Sequence, residues 1–185
     1  MVAGRTQSRS PTPRVYRASN FRCSCFDWPV HISARADYGM RALLELVEGA
    51  GRDPAMLIKG DALAEAQQVP IKFLEAILRD LRLHGIVESR RGIEGGYRLA
   101  KPASQITVAD VIRALDGPLA AVRGQRPETL EYSGPASHLR DVWIAARVAI
   151  RSALEAVTLQ QVADGDLPLP ITELLQAPGA WERRG

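Results

Sequence analysis

Apolar side chains along much of this chain recur at three- and four-residue steps, the period of a helix with one buried face. From Ser33 to about Glu48 they fall at Tyr38, Ala42, Leu43, Leu46 and Val47, with Ser33 as N-cap and Gly49 to Pro54 as the stop. A shorter helix is expected from Asp61, as its cap, to about Gln67, with Leu63, Ala64 and Ala66 inward. Val69-Pro70 makes a turn. A third helix then runs from about Pro70 to His84, with Leu74, Ile77, Leu78 and Leu81 inward and Gly85 at the position that ends helices.

The pattern then changes. Ile86, Val87 and Ser89 begin a strand, and Tyr97 and Leu99 lie on its return. Gly92, Gly95 and Gly96 between them suit a tight hairpin turn. Met56-Leu-Ile58 is short and apolar and can add a strand to this hairpin. Thr107-Val-Ala-Asp110 has the spacing of a capping box for a fourth helix through Leu115. Asp116 to Ser137 holds repeated Gly and Pro and reads as a long loop. Beyond it, Leu139, Val142, Trp143, Ala146, Ile150, Ala153, Leu154 and Val157 repeat at helical steps. Thr158-Leu-Gln-Gln161 can cap a last short helix.

This order predicts a mostly α chain with a small β-hairpin wing: a winged helix-turn-helix DNA-binding domain plus a long dimerisation helix. The expected divisions are residues 1–29, a disordered or untranslated extension; 30–116, the winged helix; 117–137, the loop; 138–165, the dimerisation region; and 166–185, a flexible tail. The long helix stands apart behind its loop, with little of its own chain left to cover it. Pairing with a second copy through Leu139, Val142, Trp143, Ala146, Ile150 and Leu154 buries the stripe economically.

Composition refines the picture in three places. The formal charge is +3, yet residues 1–29 hold five arginines against Asp27 alone, so the remainder is slightly acidic overall. A global charge argument for nucleic acid is therefore weak, and the local cluster of Arg79, Arg82, Arg90, Arg91, Arg98 and Lys101 matters more. The only cysteines, Cys23 and Cys25, suit neither a disulfide framework nor a self-contained zinc site. No apolar run reaches the roughly 18–20 residues that span a bilayer, which points to a cytoplasmic protein without membrane partners. The extension has no signal-peptide core, and translation starting at Val30 would remove it.

A helix-turn-helix lays its second helix in the major groove, N-terminal residues toward base edges. Here those are Lys72, Phe73, Glu75 and Ala76. Lys72 can bond guanine or a phosphate, Glu75 can accept from cytosine, and Phe73 and Ala76 can meet a thymine methyl. A solvated helix face is the plain alternative for Lys72 and Glu75. Arg90, Arg91 and Gly92 form the wing tip, with Arg91 placed for a narrow A·T-rich minor groove and Arg90 for phosphate.

The stretch from Phe73 to Ala100, through Arg90-Arg91-Gly92-Ile-Glu-Gly-Gly-Tyr-Arg-Leu99, resembles the Rrf-type winged-helix repressors, the family of IscR, NsrR and CymR. Ile32-Ser-Ala-Arg-Ala-Asp-Tyr-Gly-Met-Arg-Ala-Leu43 is similar to that family's first helix. The resemblance spans roughly residues 30–165. It implies a homodimer on a pseudo-palindromic operator in double-stranded DNA, with Lys72, Phe73, Glu75 and Ala76 at base-contacting positions and Arg91 as the minor-groove arginine. Sensing members hold an iron–sulphur cluster on three cysteines in the loop before the long helix. The corresponding loop here has none, and Gly124 stands near the first cysteine's place. No cofactor is therefore expected, and an unidentified small-molecule effector or a partner protein is left as the source of a signal. A winged helix serving protein contact without specific DNA binding is the alternative. His31, His84 and His138 are scattered and no nucleophile–base pair or phosphate loop occurs, so an enzyme is not expected.

Overall fold

A computed structural model describes residues 32–182. The expectations for residues 1–29, for Cys23 and Cys25, and for a start at Val30 lie outside the described residues.

Helix α1 (Ala34–Arg52) is capped by Ser33, whose hydroxyl accepts from the Ala36 N–H at 3.0 Å. Its Ala42, Leu43, Leu46 and Val47 are buried as their spacing requires, and Tyr38 is half-buried. Helix α2 (Gly60–Gln67) starts two residues earlier than a cap at Asp61 implies. Asp61 is not its cap: Lys59 holds that position without a side-chain bond, and Asp61 accepts from the Ala62 N–H next to it. Ala66, expected inside, is exposed, while Gln67 is buried. Gln67 lies four residues after Leu63 and so shares its face. Its amide donates to Glu45 at 2.7 Å, which satisfies the buried polar group.

Helix α3 (Ile71–Leu83) follows a three-residue turn in which Gln68 takes a left-handed conformation and Pro70 is the N-cap. Leu74, Ile77, Leu78 and Leu81 are completely buried. They pack with Leu43, Leu46, Leu63 and Val111 in one core cluster. An Arg35–Asp80 ion pair adds a polar link between α1 and α3.

Strands β1 (Val87–Arg90) and β2 (Gly96–Leu99) pair antiparallel, Val87 opposite Leu99 and Arg90 opposite Gly96. The 56–58 segment does not become a full third strand. It contributes one bridge, in which Ile58 and Tyr97 exchange N–H···O bonds of 2.9 and 2.8 Å.

Helix α4 (Val108–Asp116) begins with a complete capping box: the Asp110 N–H donates to the Thr107 hydroxyl and the Thr107 N–H to the Asp110 carboxylate, both at 3.1 Å. The 117–137 loop is tied down at two points by buried Pro127 and Leu130, and short 3-10 turns occupy Pro127–Thr129 and Gly134–Ala136.

Helix α5 (Leu139–Glu155) packs on α4 and on the Pro127 turn, yet not one of its residues is fully buried. The chain then returns to the core. Val157 and Leu159 are buried, and the backbone bonds Val108 N–H to Val157 O and Leu159 N–H to Ile106 O, each 2.9 Å, stitch the return to the start of α4. Helix α6 (Leu159–Asp164), opened by a Thr158–Gln161 capping box, packs on α1. The end of the expected dimerisation region therefore belongs to the core of the winged helix, because Leu159 is part of the same apolar cluster as α1 and α3. Part of the expected tail forms a further helix, α7 (Leu169–Gln176).

Candidate nucleic-acid interface

The core burial of Leu74, Ile77, Leu78 and Leu81 fixes the rotation of α3 about its axis. Lys72, Phe73 and Glu75 consequently face outward, with Ala76 half-buried at the edge. The Lys72 side chain is 87% exposed and its ammonium lies 3.2 Å from the Glu75 carboxylate. In water such an (i, i+3) pair contributes only about 0.2–0.5 kcal/mol, so either group can exchange its partner for a base or phosphate at small cost. Phe73 is held on one side by Tyr38, edge to face at 5.9 Å between ring centroids.

That contact brings α1 into the site. The Arg41 guanidinium lies over the Tyr38 ring, 5.4 Å from its centroid, and also donates to the Gln67 carbonyl at 3.3 Å. Arg41 was absent from the sequence expectation because it lies on another element, about thirty residues upstream. The Asp37–Arg41 spacing was visible in the sequence, but nothing local connected it to Phe73.

The wing is built by two glycines with different duties. Gly92 has φ +112°, a conformation that L side chains rarely adopt. A Cβ on Gly95 would stand 2.3 Å from the Arg90 carbonyl oxygen, so the turn closes only without one. The Gly95 N–H then donates to the Gly92 carbonyl at 3.0 Å. Arg98 pairs with Glu88 directly across the ladder, and Arg82 of α3 donates to Ser89 at 3.1 Å. Arg90 and Arg91 are exposed and enter no ion pair among the described residues. Ile93, between them and Gly95, is 86% exposed, an apolar tip that sequence reading did not single out. The wing's base lies near α3: the Gly60 position looks onto both the Tyr97 ring and the Ile71 side chain, within 4 Å of each. The site thus offers a carboxylate and an ammonium on a helix face, and unpaired guanidiniums on a hairpin beside it.

The predicted α5 stripe is divided. Leu139, Trp143, Ile150 and Leu154 are half-buried against their own chain, whereas Val142 and Ala146 are exposed. Ala145 and Ala149 are exposed beside them, so the uncovered side is narrow, apolar and made of small residues. Among the described residues no helix is long and apolar enough to cross a membrane.

The 117–137 loop offers Glu128 and Glu131 with His138 next to it, and no cysteine. Iron–sulphur clusters are held chiefly by thiolates. This donor set does not fit such a cluster, and among the described residues no three metal-ligating side chains converge.

Comparison with known proteins fits the geometry. The profile of the Rrf2 family, described as "Iron-dependent Transcriptional regulator", matches residues 32–165. A chain of Mycobacterium tuberculosis strain H37Rv, whose name places it among HTH-type transcriptional regulators, is 46% identical over 145 residues, 78% of this chain and 88% of that one. The HTH-type transcriptional regulator CymR of Bacillus subtilis is 35% identical over 132 residues, 71% of this chain and 88% of that one. The solved structure of CymR, the global cysteine regulator of B. subtilis, superposes with a TM-score of 0.58 at 32% identity, covering 73% of this chain and 97% of that one. The structure of T. potens IscR gives 0.56 at 28% identity, covering 84% and 93%.

Proposed function

The chain belongs to the Rrf2 family of transcriptional regulators, and from that premise we propose that it is a cytoplasmic homodimeric repressor occluding a promoter at a pseudo-palindromic operator. That it is a DNA-binding transcriptional regulator and not an enzyme follows from the family and its relatives. The finer reading concerns how it holds DNA. The observation that carries it is the pairing of an outward Lys72–Glu75 face on α3 with a wing whose Arg90 and Arg91 have no acidic partner among the described residues.

In this reading α3 lies in the major groove. Lys72 bonds a guanine edge or a phosphate, Glu75 accepts from cytosine N4, and Phe73 and Ala76 contact a thymine methyl. Glu75 also repels bases that present only acceptors, which makes it a discriminator more than a source of affinity. Arg91, followed by Gly92, enters the minor groove where A·T pairs narrow it, and Arg90 neutralises a phosphate. Arg41, stacked on Tyr38, is positioned for a second phosphate near the start of α3. The dimer is supported by α5, whose exposed side carries Val142, Ala145, Ala146 and Ala149. Small side chains there let two α5 helices approach closely, and the symmetry of the pair sets the symmetry of the operator.

Selection of genomic fragments by the purified protein, followed by sequencing, tests the reading. An enriched palindrome whose half-sites lie about one helical turn apart is expected. Salt-sensitive binding without sequence enrichment would refute the operator and favour the protein-contact alternative.

A further inference from the structure

Away from the reading surface, α4, the 117–137 loop and α5 enclose an open cleft of about 520 Å³. Four arginines line it: Arg113 of α4, Arg126 of the loop, and Arg147 and Arg151 of α5. Nothing in the local sequence predicts this grouping, since the four come from three separate segments. Arg147 and Arg151 stand one helical turn apart, a like-charge spacing that weakens a helix by a few tenths of a kcal/mol.

The carboxylates nearby do not match them one for one. Arg147 pairs with Glu128. Arg113 is held by Glu155 and lies 3.6 Å from Asp110, and Arg151 reaches the same Glu155 at 3.6 Å. Arg126 enters no ion pair among the described residues, and Glu128 is the one acidic side chain in the cleft wall. A guanidinium offers five N–H donors in a planar fork, so most of the donors in this group are available. The surplus of positive charge is felt by Glu128. Its carboxyl is held below the usual 4.5 first by a hydrogen bond from its own backbone N–H, and further by Arg147 and Arg126.

We propose that this cleft binds a small doubly charged oxyanion, of phosphate-ester or dicarboxylate chemistry, bridging Arg126 of the loop and Arg147 and Arg151 of α5. Arginine suits that class because its fork bonds two oxygens at once. The volume fits a metabolite-sized ligand. Operator phosphate is a poor candidate for occupant. His84, the C-cap of α3, lines the cleft, so the cleft lies at the end of α3 opposite its base-reading residues, about 20 Å along a 13-residue helix.

The placement also suggests what occupancy would do, a step that rests on the regulator reading. The anion would tie α5 to the 117–137 loop, within a cleft whose wall also includes Arg113 of α4 and His84 at the end of α3. It would thereby bias the angle between the dimerising helix and the reading head, and hence the spacing of two reading heads on DNA. A ligand can shift such an equilibrium only by its differential affinity for the two arrangements.

The test uses the full chain with inorganic phosphate and with succinate as probes, each against sodium chloride at equal ionic strength. Thermal melting and isothermal titration are read for the wild type, Arg126→Ala and Arg151→Ala, with circular dichroism to establish that the variants fold. A saturable rise in melting temperature with phosphate or succinate is expected, and the probe that half-saturates at lower concentration identifies the chemistry. Each variant should bind about tenfold more weakly, as expected for a lost charge-assisted hydrogen bond. A response equal to that of chloride, or undiminished binding by folded Arg126→Ala, would overturn the site. Fragment selection with and without the better probe separates this from the regulator reading: operator binding without any anion binding sinks the cleft alone. Anion binding without operator enrichment supports the cleft and sinks the operator reading.

Discussion

Helices α3 and α5 are both amphipathic and of similar length, yet the chain treats them in opposite ways. In α3 four consecutive stripe residues, Leu74, Ile77, Leu78 and Leu81, have no exposed surface. In α5 no residue is buried, and Val142 remains 55% exposed. Amphipathicity therefore says that a helix has a face to cover and leaves open what covers it. For α3 the cover is α1, α2, α4 and the wing, all of which reach it within one continuous core. For α5 the main cover is α4 and the Pro127 turn, and they meet the side that carries Trp143, Arg147, Ile150 and Leu154 and not the small-residue side. The difference separates a helix whose apolar face is covered within its own chain from one whose small-residue side is left uncovered, the side on which the proposed dimer rests.

The strongest way to break the comparison is in the core. Leu78→Ala removes a fully buried side chain and should cost about 2–5 kcal/mol of stability, measured by urea denaturation. A loss below 1 kcal/mol would mean that the α3 stripe is less tightly enclosed than its burial implies. Ala146→Glu probes the opposite surface. It places a charge twice in a symmetric apolar contact, for about 2–4 kcal/mol of lost association, while leaving monomer stability nearly unchanged. Light scattering should show a folded monomer, and a dimer of undiminished affinity would place the interface elsewhere.

A smaller effect is expected at the wing. Arg91→Ala should weaken operator binding by about 1–3 kcal/mol, with the greater loss on A·T-rich flanks, by fluorescence anisotropy. Equal affinity for variant and wild type would remove Arg91 from the groove. Lys72→Ala should reduce either base discrimination or the salt slope by about one unit, and the choice between the two outcomes tells base from phosphate. The smallest change sharpens the boundary between the two regions. Thr107→Ala deletes half of the capping box where the return from α5 meets α4, and should cost about 1 kcal/mol. Thermal unfolding would report it, and a value near zero would mean that the neighbouring backbone bonds to Val157 and from Leu159 make the cap redundant.

Much of this was legible in the residues themselves. The two capping boxes, Thr107–Asp110 and Thr158–Gln161, act within three residues, so reading them required no knowledge of the fold. The α3 stripe followed from helical period, and the hairpin from glycines that its turn does require. Asp61 misled because an acidic residue in the first turn of a helix resembles a cap two positions away. Ala66 misled because a small apolar residue suits either face, and the buried place went to Gln67, whose amide found Glu45 across the core.

The sequence by itself thus determined where helices begin, which of their faces seek cover, and where the chain must turn, because each of these depends on interactions within about four residues. Tertiary structure alone decided that Arg41 sits by α3 through Tyr38, that Leu159 rejoins the core, and that four arginines from three segments share one cleft. Those outcomes arise from packing between residues far apart in the chain. Their proximity is set by the shape of the common core, which no local spacing encodes.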